Sequence, residues 1–222
     1  MPKVYVNNNY FSIQNNRMAY ILGFLAADGN ISEKGNRIQS QLSIKDIEHL
    51  QMIQKEIGGC EVYTYLSNGY ESCGWHCYSA QIKKDLAKYG IIPKKTGTLT
   101  IPKLLDKKYW RDFIRGYFDG DGSICKDGSG FRVSITSANI EILEDINNFF
   151  IEKGIKPSSY YQDHKNFCIK FRSQAAIDIY NLLYYPDCLC LKRKKEKYLQ
   201  VMKEKYNSTR LRNFPKEVEE IC

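Results

Sequence analysis

Apolar residues follow a helical spacing in some stretches of the chain and alternate with polar residues in others. The stretches 16–27 and 110–120 predict helices, and an alternating stretch follows each of them. After the first helix, Ile38 and Leu42 are expected to face a core while the residues between them face the other side, and the same alternation recurs around Val133. Each predicted sheet therefore has one buried and one open face.

The same order of elements occurs twice. A constant shift along the chain aligns Gly23 with Gly116 and Asp28 with Asp121, and both halves are predicted as helix, two strands, helix, two strands, helix. The expected fold class is α+β, with two pseudo-symmetric αββαββα halves, antiparallel sheets and the first helices packed at the centre. We place the halves at residues 1–92 and 109–222, joined by a linker at 93–108 that contains two prolines.

Composition and charge favour a nucleic-acid partner and argue against a membrane protein. The chain has 222 residues, 43% of them hydrophobic, and a formal net charge of +8, which points to a polyanionic partner. No apolar run approaches the roughly 20 residues of a membrane span. The first residues lack the features of a signal peptide. We therefore expect a soluble, intracellular protein that has no membrane partner.

Eight cysteines raise the question of zinc or disulfides. No two of them form a C-x-x-C pair, and no matching histidines follow. We expect reduced thiols without a structural zinc ion.

The two predicted helices have small residues at matched positions. Gly23 and Ala27 lie four residues apart, as do Gly116 and Gly120. Residues with this spacing share a helix face, so two such helices can pack closely.

Aspartates at the ends of these helices carry the candidate chemistry. Asp28 and Asp121 each precede a glycine, Gly29 or Gly122, that is expected to adopt the left-handed conformation of a helix cap. A carboxylate at a helix C-terminus costs about 0.3–1 kcal/mol, and two packed helices would also bring the charges together. A divalent cation would remove this conflict, and hard oxygen ligands favour Mg²⁺ over zinc.

One Asp-Gly pair is typical of a turn, but two at matched repeat positions favour a site. Asp119 has no acidic counterpart, because Ala26 occupies the matching position. We interpret Asp119 as a residue of local structure.

The stretches "ILGFLAADG" and "IRGYFDGDG" resemble the paired signatures of LAGLIDADG homing endonucleases (meganucleases) in their single-chain, two-motif form. The resemblance extends from about Phe11 to Tyr206. It implies a monomer in which each half lays a saddle-shaped sheet into the major groove of double-stranded DNA, with no obligate protein partner. It also implies a site-specific DNA endonuclease that hydrolyses a phosphodiester on each strand, as in intron or intein homing.

The resemblance assigns catalytic and metal-binding roles to Asp28 and Asp121. The carbonyl groups of Ala27 and Gly120 are possible further metal ligands. Mg²⁺ is the expected cofactor, Mn²⁺ a possible substitute, and Ca²⁺ is expected to support DNA binding with little cleavage. Family members often keep a basic residue near each scissile phosphate, for which we choose Lys95 and Lys192, with Lys194 as an alternative that could equally contact the DNA backbone.

The open strand faces offer hydrogen-bond donors and acceptors for base edges. Two sheets end to end would cover on the order of 12–20 base pairs. The candidate DNA contacts are Arg37, Gln39, Gln41, Ser43, Tyr78, Arg132, Ser134, Thr136, Lys170 and Arg172.

Other functions of the same fold stay open. The alternative is a non-cleaving nucleic-acid binder, either an RNA maturase or a transcription regulator. Loss of a motif acid would favour this alternative, but both acids are present. An intein fragment is not expected, because the chain starts with Met and ends in "EEIC" without a terminal His-Asn pair.

Overall fold

A computed structural model describes residues 5–128, 130–163, 165–206 and 213–216. The helices within these residues are α1 (Asn16–Asp28), α2 (Ile47–Ile57), α3 (Ala80–Lys88), α4 (Trp110–Asp121), α5 (Ile140–Glu152), α6 (Gln174–Leu183) and α7 (Lys192–Tyr206). The strands are β1 (Gly29–Ile31), β2 (Arg37–Ser43), β3 (Tyr63–Ser67), β4 (Tyr70–Tyr78), β5 (Gly122–Asp127), β6 (Gly130–Ser137), β7 (Ser159–Asp163) and β8 (Asn166–Arg172).

The strands form two antiparallel four-stranded sheets of matching topology. Their orders are β1-β2-β4-β3 and β5-β6-β8-β7. The predicted α+β class and the repeated αββαββα order are confirmed, and α7 follows the second repeat.

The chain divides into two compact units. The first comprises Met1–Lys95 and Pro102–Tyr117, and the second comprises Thr96–Ile101 and Phe118–Cys222. The division falls inside α4, and the predicted linker contributes residues to both units. The domain bounds at 92 and 109 remain predictions.

Close contact between α1 and α4 explains the small residues of the two helices. A Cβ atom added to Gly23 would lie 2.0 Å from the carbonyl oxygen of Phe113, and one added to Gly116 would lie 2.0 Å from that of Tyr20. Such distances are far below van der Waals contact, so neither position accepts a larger residue without backbone movement. The predicted close packing is confirmed at these two positions.

Apolar side chains bury most of α1. Asn15 caps its first turn by accepting a hydrogen bond from the Met18 backbone N–H over 2.9 Å, and every residue from Met18 to Ala26 is buried. In α4, Arg115 is buried with an ion pair to Asp112 over 2.9 Å and with its guanidinium 5.1 Å from the centre of the Tyr20 ring.

The expected left-handed glycine caps are wrong. Gly29 has φ −78° and ψ 142°, which is extended backbone, and Gly122 does not have a positive φ either. Both glycines start a strand instead. A Cβ on Gly29 would lie 2.4 Å from the Leu25 carbonyl oxygen, and one on Gly122 would lie 2.1 Å from the Phe118 ring. Lack of space, and not backbone conformation, therefore requires glycine here.

A hairpin turn at Asn68 joins β3 to β4. Asn68 and Gly69 both have positive φ, 51° and 80°, and form the two-residue connection between β3 and β4. The corresponding turn near Lys165 includes residue 164, which lies outside the described residues.

The polar tail after Asn207 lies partly outside the described residues, at 207–212 and 217–222. Between them, Phe214 is buried and the Asn213 carbonyl accepts a hydrogen bond from the Asn181 side chain over 2.7 Å. This short segment of the tail is therefore held against α6.

Within the described part of the chain, no helix is both long enough and apolar enough to cross a membrane. Of the eight cysteines, the seven that lie in this part are free thiols, and Cys222 lies outside it.

Candidate nucleic-acid interface and the acidic helix ends

Asp28 and Asp121 are the last residues of α1 and α4, one residue beyond the predicted helix ends. Both side chains are exposed, whereas the residues before them, Ala27 and Gly120, are partly buried. Each half therefore presents a carboxylate at the negative end of a helix, next to backbone carbonyl oxygens.

Lys95 lies beside the first of these helix ends. Only 9% of the residue is exposed, and its Nζ donates a hydrogen bond to the carbonyl oxygen of Gly29, the residue after Asp28. The ammonium group thus places positive charge where the helix dipole is negative.

Lys194 takes the same position in the second half. It is also 9% exposed, and its Nζ lies 2.8 Å from the carbonyl oxygen of Phe118, 2.6 Å from that of Asp119 and 2.7 Å from that of Gly122. The Gly120 carbonyl oxygen is farther away, at 3.3 Å. A buried ammonium thus gathers four backbone carbonyl groups around the end of α4.

Lys192, which we chose as the catalytic lysine of the second half, is exposed on the first turn of α7. The lysine that corresponds to Lys95 by its contact is Lys194. Because Lys194 is buried against the end of α4, it does not lie on the open sheet face with the other candidate DNA contacts.

Asp119 has the local structural role that its unmatched position suggests. It is 1% exposed and accepts hydrogen bonds from the Tyr184 hydroxyl over 2.6 Å and from the Leu191 backbone N–H over 2.7 Å. These bonds fix the segment that leads into α7, and therefore the position of Lys194.

The carboxylate and carbonyl oxygens at each helix end are the type of ligand that a hard divalent cation prefers. Among the described residues, no group of three or more His, Cys, Asp or Glu side chains is arranged to hold a metal ion. Mg²⁺ typically uses one or two carboxylates and completes its octahedron with water and phosphate oxygens. Asp28 and Asp121, with the carbonyl groups of Ala27 and Gly120, are the groups that could hold it.

The open face of the first sheet carries the predicted polar residues of β2. Arg37 and Gln39 are half-buried, while Gln41 and Ser43 are exposed. Tyr78 lies opposite Arg37 in the register and is 63% exposed. The five residues therefore lie on one face, as predicted.

His76 joins this face opposite Gln39 in the register. Its Nδ1 lies 3.5 Å from Nη2 of Arg37 and 3.3 Å from Sγ of Cys60. Burial lowers the pKa of His76 below its ordinary value, and the neighbouring Arg37 charge lowers it further.

Tyrosines cover the neighbouring part of the same face. Gly74 leaves room for the Tyr63 ring, since an added Cβ would lie 2.7 Å from its hydroxyl oxygen. The rings of Tyr63 and Tyr65 lie 5.9 Å apart, and that of Tyr63 lies 5.8 Å from His76. The first sheet thus offers amide groups and aromatic rings in addition to one arginine.

The open face of the second sheet is more strongly basic. Arg132 lies directly opposite Arg172, and Ser134 lies opposite Lys170. Lys170 Nζ lies 4.4 Å from the centre of the Tyr161 ring.

Two predicted contacts on this sheet differ in access. Thr136 is exposed at the end of the row, whereas Ser134 is buried and shares a 2.8 Å hydrogen bond with Ser123.

An acidic residue that our sequence prediction missed lies beside the two arginines. Asp127 accepts a 2.5 Å hydrogen bond from Nε of Arg172, and its other oxygen lies 3.6 Å from Nη1 of Arg132. Its alternation with Ile124 and Lys126 along β5 would have placed Asp127 on the open face. The sequence pattern did not show that β5 extends as far as residue 127.

Comparisons with known proteins agree with the motifs. Residues 109–178 match the family model described as a LAGLIDADG-like domain. A probable translation initiation factor IF-2 from Thermococcus kodakarensis is 35% identical over 83 residues. This match covers 36% of the chain and only 7% of the length of that relative.

Solved structures extend the likeness to the whole fold. The meganuclease I-SmaMI bound to uncleavable DNA has a TM-score of 0.58 at 12% identity, over 93% of this chain and 96% of that one. I-SmaMI bound to uncleaved DNA with calcium ions has a TM-score of 0.54 at 15% identity, over 86% and 89%. Full-length DUF199/WhiA from Thermatoga maritima has a TM-score of 0.56 at 14% identity, over 96% of this chain and 69% of that one.

The family model covers the second motif and its sheet, and the structural matches cover both halves. The resemblance drawn from the two motifs is confirmed: the chain has the fold of the two-motif LAGLIDADG homing endonucleases, and residues 109–178 match the model of a LAGLIDADG-like domain.

Proposed function

We propose that the protein is a site-specific DNA endonuclease that binds a long, asymmetric duplex site and hydrolyses a phosphodiester on each strand. The observation that carries the proposal is the matched pair of helix ends. At each, an exposed aspartate follows a partly buried small residue, and a buried lysine binds the carbonyl group of the next residue. Stability alone does not favour a carboxylate at this end of a helix.

Asp28 and Asp121 would hold divalent metal, with Mg²⁺ as the expected cofactor and Mn²⁺ as a substitute. When bound, the metal supplies a water of lowered pKa and stabilises the developing charge on the phosphate. Lys95 and Lys194 offset the negative charge at the helix ends and fix the backbone that carries the aspartates. Lys192 lies on the surface of α7, where it suits contact with the phosphate backbone.

The partner is double-stranded DNA, bound through the open sheet faces. The face of the first sheet offers Arg37, Gln39 and Gln41, whose donors and acceptors match base edges in the major groove. The net charge of +8 supports binding to a polyanion, and affinity should fall as salt rises because counterions are released. With both halves in one chain, the protein should bind one duplex as a monomer, which sedimentation of the complex would test.

A non-cleaving nucleic-acid binder is the second candidate. The fold is shared with WhiA over 96% of this chain as well as with the meganuclease. Structural similarity at 12–15% identity shows the fold alone, so it does not decide between cleavage and binding without cleavage.

The deciding experiment is selection of bound sites from a randomised duplex library, followed by strand-resolved cleavage of the selected duplex. The parent protein should cut both strands with Mg²⁺ and bind with little cutting in Ca²⁺. Asp28→Asn and Asp121→Asn should abolish cutting while binding persists or tightens. A selected duplex that is bound tightly but left intact with both Mg²⁺ and Mn²⁺ would instead establish the non-cleaving binder.

A further inference from the structure

The second sheet carries two arginines directly opposite each other, although like charges at such positions repel. Asp127 lies on the same face of the neighbouring strand and contacts both side chains. Arg172 is half-exposed, with a side-chain exposure of 51%, so the ion pair lies at the surface. Surface ion pairs of this kind contribute little to stability. The cluster therefore calls for an explanation other than folding.

The geometry of the cluster orients Arg172. Asp127 binds its Nε atom, which leaves the two terminal Nη groups unused by this contact. Arg132 has its Nε atom buried without a hydrogen-bond partner among the described residues, and its Nη1 lies 3.6 Å from the other oxygen of Asp127. Asp127 thus restricts both guanidinium groups on a face that is otherwise open.

The matched position of the first sheet has a different composition. There, Gln39 lies opposite His76, where the second sheet has Arg132 opposite Arg172. The Gln39 amide nitrogen lies 3.4 Å from the side-chain oxygen of Asn30, a neutral group, whereas Arg172 binds the carboxylate of Asp127. A glutamine amide is complementary to adenine, whereas an arginine fork is complementary to the O6 and N7 atoms of guanine.

We propose that Asp127, Arg132 and Arg172 form a guanine-reading cluster, in which Arg172 contacts the base and Asp127 is the positioning residue that orients it. The matched position of the first half, with Gln39, reads an A·T pair. This inference rests on the proposed binding of duplex DNA, but it does not require cleavage. It assigns a preference to one base pair in each half-site and makes the two half-sites unequal.

The test is binding selection from a randomised duplex library in Ca²⁺, with the full chain and four variants. In the parent, one half-site should show a strong guanine preference. Arg172→Gln should reduce the preference for guanine at that position by tenfold or more, within the range of a lost bidentate contact, and leave the other positions unchanged. Gln39→Ala should relax an A·T preference at one position of the opposite half-site only.

Asp127→Asn distinguishes positioning from simple charge. It removes a negative charge, so affinity for all duplexes should stay equal or rise, while the guanine preference falls several-fold. Lys126→Gln is the charge control for Arg172→Gln, because Lys126 lies next to Asp127 on the opposite face of β5 and pairs with Glu204. It should weaken binding slightly without changing any base preference.

The outcomes separate this inference from the proposed function. Failure of the parent to bind any duplex would contradict the proposed function itself. If the parent selects a site but Arg172→Gln weakens all sequences equally, Arg172 contacts phosphate and the guanine assignment is wrong. An unchanged guanine preference in Asp127→Asn would remove the positioning role of Asp127.

Discussion

The Nζ atom of Lys194 donates a hydrogen bond to the carbonyl oxygen of Gly122 over 2.7 Å. Lys95 makes the matching contact with Gly29 in the first half. The two halves thus share this contact. The sequence spacing does not show it, because an insertion in the second half precedes α7 and shifts Lys194 out of alignment with Lys95. Lys194 also binds the carbonyl groups of Phe118 and Asp119 in the last turn of α4, where a helix leaves carbonyl groups without intrahelical partners.

Removing these buried lysines should destabilise the protein. Lys194→Met leaves several buried carbonyl groups without their donor and should lower the free energy of unfolding by about 1.5–3 kcal/mol. Lys95→Met should act in the same direction. Lys192→Met, at an exposed position of the same helix as Lys194, should change it by no more than about 0.5 kcal/mol. Urea denaturation of the three variants measures the difference, and equal effects of Lys192 and Lys194 would contradict the contact.

The glycines between α1 and α4 should not tolerate even one methyl group. Gly23→Ala and Gly116→Ala would each place a Cβ 2.0 Å from a backbone oxygen. This overpacking should lower the free energy of unfolding by about 1–3 kcal/mol or more. Gly97→Ala is the control, because no atom lies within 4 Å of its added Cβ. Thermal unfolding of the three variants tests this prediction. If Gly23→Ala were as stable as Gly97→Ala, the close contact between the helices would be disproved.

Asp119→Asn should impair folding, in contrast to the asparagine variants of Asp28 and Asp121. An amide cannot accept hydrogen bonds on both sides, so either Tyr184 or the Leu191 N–H loses its acceptor in a buried site. A loss of about 1–3 kcal/mol is expected. Equilibrium unfolding measures it, with Asp121→Asn as the comparison. A loss in Asp121→Asn as large as in Asp119→Asn would assign both aspartates to structure.

The pKa of His76 should lie below the ordinary value of about 6.5. Burial is the larger cause and the Arg37 charge the smaller, so Arg37→Gln should raise the pKa without restoring the ordinary value. The unfolded chain binds the proton more readily than the folded chain. The stability that His76 contributes is therefore complete above the ordinary pKa and is lost as the pH falls below it. Histidine resonances in an NMR titration report the pKa, and an unchanged value in Arg37→Gln would remove Arg37 as a cause.

Much of the fold was predictable because it depends on local pattern. Alternation along β2 and β6 placed Arg37 and Arg132 on open faces, and the helical spacing of small residues predicted the contact at Gly23. The conformation of Gly29 was not predictable in this way, because an Asp-Gly pair fits both a left-handed cap and a glycine required by steric contact. Local pattern identifies the need for glycine but not its cause.

The candidate site was also predictable only in part. Asp28 and Asp121 follow from their place at the ends of repeated helices, whereas the choice between Lys192 and Lys194 depends on which face of α7 packs against the end of α4. That face is set by Tyr198 and Met202, which are both fully buried. A run of basic residues at the start of a helix gives no such direction, so the sequence could not separate the two lysines.

The contact between α1 and α4 is reciprocal. Gly23 meets the carbonyl group of Phe113, and Gly116 meets that of Tyr20, which occupies the position in the first repeat that Phe113 occupies in the second. Each motif helix therefore carries both surfaces of the contact, as the subunits of a twofold-symmetric homodimer do. A gene that encoded only one repeat would already specify a self-complementary helix pair. Duplication and fusion of such a gene would retain this contact while leaving the open faces of the two sheets free to diverge.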